Sequence, residues 1–111
     1  MTTFDKRKKS YENKFVHDKE LQFKVIARRN RLLGEWAAKH LGLDEDVAKK
    51  YAIALVEQHI GLSQDEEVVN KVWSDFKEAD LELDNHAIIR EMKHLQIVAR
   101  DDIHKKDMEQ A

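Results

Sequence analysis

The clearest periodicity in the chain lies between Ser63 and Glu78, where Val69, Val72, Trp73 and Phe76 recur at i, i+3, i+4 and i+7. That spacing lines one face of a helix. Ser63-Gln64-Asp65-Glu66 in front of it reads as a capping box, with the Ser hydroxyl and the Glu carboxylate each accepting from an orphan backbone N–H. A second helix is bounded by Asp44 as N-cap and Gly61 as C′ residue, with Glu45 and Asp46 complementing the dipole. Its buried face is predicted to be Val47, Tyr51 and Leu55 together with Ala48, Ala52 and Val56. Asp84 or Asn85 caps a last helix that carries Ile88, Met92, Leu95 and Ala99 on one side, and its polar end from Ile103 to Ala111 is expected to fray.

Upstream, a stripe of Phe23, Ile26, Leu33, Trp36, Ala37 and Leu41 runs from about Glu20, and Gly42 closes it. Asn30 falls on or beside that seam, a place where a polar residue fixes packing register or marks a boundary. Before residue 20 the large apolar residues thin out to Phe4, Tyr11, Phe15 and Val16, and Lys6 to Lys9 repel one another. Residues 1–19 therefore read as an arm, disordered or only nascently helical alone, that becomes an amphipathic helix on a partner. Residues 20–111 read as the helical body. Pro is absent, Gly occurs only three times, and good helix formers dominate, so the class is all-α.

Charge sharpens the division. The first thirty-one residues carry ten Lys/Arg against four acids, a local charge of +6, whereas the other eighty carry ten against eighteen, −8. The whole chain stands at only −2. Polarity of this kind steers association without any pocket. At 111 residues one domain can bury a real core without staples, and the absence of Cys excludes disulfides, thiolate metal sites and a Cys nucleophile. The opening residues lack a signal-peptide h-region and no apolar run approaches the roughly 20 residues that span a bilayer, so a cytoplasmic protein is expected.

Little in the sequence points to catalysis. Six His residues include no H-E-x-x-H pair, and Asp101, His104 and Asp107 at i+3 spacing read as a solvated face rather than a metal site. The acids at Asp65, Glu66 and Glu67 sit where a helix dipole already favours them. Ser10, Ser63 and Ser74 lack a nucleophile elbow. No catalytic set and no metal site is assigned. Trp36, Tyr51, Trp73 and Phe76 read as core anchors. Arg28, Arg29 and Arg31 form the densest cationic cluster of the body, with Lys24, Arg28 and Arg31 on one face. They are candidates for adenine-nucleotide phosphates, although no Gly-rich cradle accompanies them and Glu20 and Glu35 offer ion pairs. The acidic excess between Asp44 and Leu83 argues against a DNA-reading helix pair, and the arm is too sparse in aromatics for membrane insertion.

Ala27-Arg28-Arg29-Asn30-Arg31-Leu32-Leu33-Gly34-Glu35-Trp36-Ala37-Ala38-Lys39-His40-Leu41-Gly42 resembles the zeta subunit family of alphaproteobacterial ATP synthases. The opening Met1-Thr2-Thr3-Phe4-Asp5-Lys6-Arg7 and the stretch Lys14-Phe15-Val16-His17-Asp18-Lys19-Glu20-Leu21 are similar to the same family in the same order. The resemblance implies a four-helix bundle whose N-terminal arm inhibits ATP hydrolysis, entering the cleft between a catalytic β subunit, its α neighbour and the γ rotor. By position the partner-binding residues are Phe4, Asp5, Arg7, Lys9, Tyr11, Glu12, Lys14 and Phe15. It also implies a protein that is monomeric when free and meets the inner membrane's cytoplasmic face only through the synthase. Adenine-nucleotide binding is the alternative, on the arginine-rich first helix, with no nucleic-acid partner and no obligatory cofactor.

Overall fold

The computed structural model describes the backbone of residues 2–110 and the side chains of residues 18–106. Four helices follow one another: α1 (Thr2–His40), α2 (Glu45–Glu57), α3 (Asp65–Glu78) and α4 (Asn85–Gln110), with no strand among the described residues. The four-helix, all-α expectation holds. α1 is the spine, packing along α2 on one side and α4 on the other, while α3 closes against α4 and touches α1. Its helical backbone crosses residue 19 without a break.

The core follows the sequence stripes with instructive exceptions. Leu33 and Ala37 of α1, Leu55 of α2, Val68, Val69, Val72 and Phe76 of α3, and Ile88 and Met92 of α4 form one buried cluster. Each large member contributes roughly 1.5–3 kcal/mol by leaving water. Trp36 packs its ring 5.7 Å from Phe76 and 4.8 Å from His40, centroid to centroid, at the edge of that cluster. Val25 and Val68 are buried although neither lies on an expected stripe, because α1 and α3 each bury a face wider than one row of residues. Val47 and Phe23, both expected inside, are exposed. Val47 stands in the first turn of α2, and Phe23 meets only the last turn of α2 at Val56 and the segment after it, at the rim of a shallow hollow.

Three of the predicted helix ends form as expected. Asp44 accepts from the Val47 N–H at 2.9 Å and Asp84 from the Ala87 N–H at 3.0 Å, so both helices begin on a side-chain cap. At Gly42, with φ +69°, α1 ends in a Schellman turn: the Leu43 N–H reaches the Ala38 carbonyl at 3.1 Å and the Gly42 N–H that of Lys39 at 3.1 Å. α3 ends the same way on Asp80, a non-glycine residue held at φ 57°, with the Leu81 N–H donating to the Phe76 carbonyl at 2.9 Å.

Three boundary expectations need correction. The capping box does not form, since Gln64 is the N-cap of α3 and gives no side-chain cap bond. Asp65 of that first turn instead reaches across to α1, as described below. Gly61 is not the C′ residue of α2, which already stops at Glu57 with Gln58 as cap. His59 Nδ1 lies 3.0 Å from the Leu55 carbonyl, and in the Nδ1–H tautomer the ring donates to that orphan acceptor. Finally, α4 keeps helical backbone to Gln110, past the point where fraying was expected.

Gly34 sets the spacing of α1 and α2. A Cβ built there would stand 2.6 Å from the Ala52 Cα and 3.1 Å from its Cβ. The two helix backbones meet at this crossing, and only hydrogen at position 34 allows it.

Candidate functional site

The arm residues expected to meet a partner, Phe4, Asp5, Arg7, Lys9, Tyr11, Glu12, Lys14 and Phe15, lie outside the residues whose side chains are described. Asp107 of the Asp101, His104, Asp107 set also falls outside them. What bears on the arm is its attachment. It is the first half of α1, whose second half carries the buried seam of the bundle, so arm and body share one helical axis.

The arginine cluster, contiguous in sequence, separates in space. Arg28 Nε lies 3.3 Å from Asp102 Oδ2 on α4, and Arg31 Nε lies 3.5 Å from Glu35 Oε1 one turn along α1. Both pairs are partly exposed, and pairs of this kind contribute roughly 0–1 kcal/mol. Arg28 and Arg31 do share the edge of one shallow cavity, between α1 and the Ile53 and Val56 turn of α2. Arg29 faces another way and is only 3% exposed. The three guanidinium groups do not converge on one point.

Arg29 is a polar hub inside the bundle. Its Nε and Nη2 donate to Asn30 Oδ1 at 3.1 and 2.9 Å, Nη1 donates to Gln96 Oε1 at 3.0 Å, and Nη2 also reaches Asp65 Oδ1 at 2.8 Å. One guanidinium thereby ties α1 to the first turn of α3 and the middle of α4. The fork geometry of Arg makes this multiple bonding accessible where Lys would supply a single point of charge. Asp65 is 58% exposed, so the charge pair is buried at one end and wet at the other. Asn30 is 1% exposed, and its Nδ2 has no hydrogen-bond partner. The amide orientation is fixed all the same, because turning it over would aim NH2 at the guanidinium.

Arg29 and Gln96 line the wall of a cavity of about 570 Å³ between α1, α3 and α4, whose apolar floor includes Val69, Ile89 and Met92. Because Arg29 is already matched by an acid and two amides, this hollow offers no free cation from that side chain. A second polar contact holds α2 to α3. The Tyr51 hydroxyl donates to Asp75 Oδ2 at 2.6 Å, and Lys71 Nζ approaches the other oxygen at 3.2 Å. Burial first, then the hydrogen bond to Asp75 and its negative charge, raise the Tyr51 pKa above the ordinary tyrosine range.

Among the described residues no three His, Asp or Glu side chains gather where a metal ion could be held. Nor is any described helix long and apolar enough to cross a membrane. Two features were missed in the sequence. Gly34 sits inside a strongly periodic helix and faces the Ala-rich middle of α2, a pairing that signals close backbone approach. Arg29 lies three residues after Ile26 and four before Leu33, a spacing that already places it beside the apolar seam.

Comparison with known proteins bears on the whole chain. No curated protein and no solved structure matches it. The family model of the ATPase inhibitor subunit zeta matches residues 1–102, taking in the arm, α1 to α3 and most of α4. With nearly its full length matched, the chain belongs to the ATPase inhibitor subunit zeta family, a regulatory and non-catalytic kind of protein that acts on ATP synthase.

Proposed function

We propose that this chain restrains ATP hydrolysis by the rotary ATP synthase through residues 1–19, which enter the interface of a catalytic β subunit, its α neighbour and the γ rotor. The observation that carries the reading is that the family match includes the arm, the same segment that the charge division singles out. Family membership supplies the target. The arm supplies the means.

Physically, a helical segment of 19 residues rises about 1.5 Å per residue and so reaches about 28 Å beyond the bundle. That reach suits a wedge seated in a cleft while the bundle stays outside. Phe4, Tyr11 and Phe15, at spacings of seven and four, give such a helix one apolar side to bury. Arg7, Lys9 and Lys14 give it cationic flanks that speed encounter with an acidic surface. Because arm and body share α1, torque on the wedge is resisted by the packing of Leu33 and Ala37 in the core. A rotor pressed against the wedge in the hydrolytic direction then meets a folded domain too large to follow it in.

The test is a titration of the full-length chain, and of a chain lacking residues 2–19, into the hydrolytic activity of its cognate synthase head. The reading predicts saturable inhibition by the full-length chain alone, with both proteins equally folded by circular dichroism. Equal inhibition by the shortened chain rejects the wedge.

A further inference from the structure

The hollow between α1, α3 and α4 has no part in the arm mechanism. It encloses about 570 Å³, a size that accepts a small organic molecule. Its floor is apolar, built from Ile26 of α1, Val69 of α3, and Ile89 and Met92 of α4. Three helices meet around it without filling it.

The polar wall is short of acceptors. The charge of Arg29 is matched by Asp65, but its donors are not exhausted. A guanidinium carries five N–H groups. Four of those on Arg29 are taken, two by Asn30 Oδ1, one by Asp65 Oδ1 and one by Gln96 Oε1. The second N–H of Nη1 has no acceptor among the described residues, although Arg29 is 3% exposed and lines the cavity. Beside it, Asn30 Nδ2 is orphaned as well. A buried donor without an acceptor costs free energy that an incoming oxygen recovers. Charge decides which oxygen. Arg29 and Lys93 line the cavity against Asp65 and Glu66, two cations against two acids, so the lining has no net charge. A carboxylate or phosphate at the free N–H would stand beside Asp65, which already holds the same guanidinium at 2.8 Å, and be repelled by it. A neutral carbonyl oxygen takes the N–H without that repulsion.

We propose that the hollow is a small-molecule site for a neutral, mainly apolar ring compound that carries a carbonyl oxygen. The oxygen accepts from the free Nη1–H of Arg29, and the ring lies on Val69, Ile89 and Met92. Met92 suits rings of different outline, since its side chain is unbranched and adaptable. Asn70, exposed on α3, stands at the mouth. The compound touches α1, α3 and α4 at once, so it binds the folded bundle and not the unfolded chain, and its binding stabilises the fold. None of the lining residues belongs to the arm, and the site stands or falls apart from the arm mechanism.

The experiment follows the full-length chain by heteronuclear NMR as three probes of similar ring size are added. They are α-tetralone, a neutral ring ketone; tetralin, the same skeleton without the oxygen; and naphthoate, an anion. α-Tetralone is expected to give saturable shifts centred on Ile26, Arg29, Val69 and Met92 and to raise the melting temperature. Tetralin is expected to bind about fivefold more weakly, the worth of one hydrogen bond, and naphthoate more weakly than the ketone. Asn70→Phe closes the mouth and removes saturable binding, while Lys49→Phe, on α2 away from the cavity, leaves Kd unchanged. If Asn70→Phe melts earlier than wild type, Lys93→Phe, exposed on the α4 rim, carries the comparison. Absence of saturable shifts with α-tetralone up to its solubility overturns the proposal. So does equal or tighter binding of tetralin, which makes the hollow simply apolar, or tighter binding of naphthoate, which makes it an anion site. Saturable binding kept in both rim variants places the compound elsewhere on the bundle and overturns it too.

Discussion

Replacing Gly34 by Ala sets two well-characterised effects against each other, and the structure decides the sign. In a solvated helix interior the substitution stabilises by about 1 kcal/mol, because Ala gives up less backbone freedom than Gly. Here the new Cβ would lie 2.6 Å from the Ala52 Cα, and the colliding atom is backbone. Restoring ordinary contact requires α1 and α2 to separate by about 1 Å, and a gap of that size forfeits a quarter to a half of each affected dispersion contact. The neighbours that lose contact include Leu33, Ala37 and Leu55, all essentially buried. Overpacking of this kind costs about 1–3 kcal/mol, and with two backbones involved the upper end applies. The net expectation for Gly34→Ala is destabilisation by about 2 kcal/mol, seen as a melting temperature lower by roughly 10 °C for a domain of this size. Urea and thermal unfolding followed by far-UV circular dichroism measure it. Adding Ala52→Gly gives no rescue, because the nearest atom is the Cα. A melting temperature that rises in Gly34→Ala would refute the close crossing of α1 and α2.

Four further substitutions separate structural from surface roles. Arg29→Ala removes the hub that serves Asn30, Gln96 and Asp65 and is expected to destabilise by about 3 kcal/mol, whereas Arg31→Ala, which loses only an exposed i, i+4 pair, changes stability by less than about 0.5 kcal/mol in the same urea titration. Tyr51→Phe removes the hydroxyl bond to Asp75 and lowers stability by about 1–2 kcal/mol near neutral pH. Because the folded pKa of Tyr51 lies above its unfolded value of about 10, the stabilisation is whole below that pH and is lost as pH rises beyond it; urea midpoints at about pH 8 and about pH 11 should converge between wild type and variant at the higher pH. Asp80→Gly relieves the positive φ and removes an acid from the carbonyl end of α3, and the melting temperature should rise by the equivalent of about 0.5–1 kcal/mol.

What was legible in the sequence was local. Asp44, Asp84 and Gly42 act through bonds to residues within a few positions, so their chemistry is written in short motifs. The stripes containing Leu33, Leu55, Phe76 and Ile88 were likewise readable, because a helix repeats in a fixed period. What failed required knowledge of a distant partner. Ser63 to Glu66 has the letters of a capping box, yet Asp65 is engaged by a guanidinium thirty-six positions earlier. Arg28, Arg29 and Arg31 looked like one cationic site, and the helical twist sends Arg29 into the bundle while the others stay on its surface. Phe23 belongs to a core stripe by period but stands beside the end of α2, where no helix covers it. The proposal of an arm rests on charge and composition, and the proposal of its partner-binding residues rests on resemblance to the family that the chain proves to belong to.

The most direct test of the central claim is a cross-linking measurement on the complex. A photo-reactive amino acid replaces Tyr11 in the full-length chain, the chain is added to the cognate synthase head during ATP hydrolysis, and the products are identified by mass spectrometry. Insertion of the arm predicts cross-links to a catalytic β subunit and to γ, formed in step with the loss of hydrolysis. Cross-links confined to the outer surface of the head, with hydrolysis inhibited all the same, would contradict it.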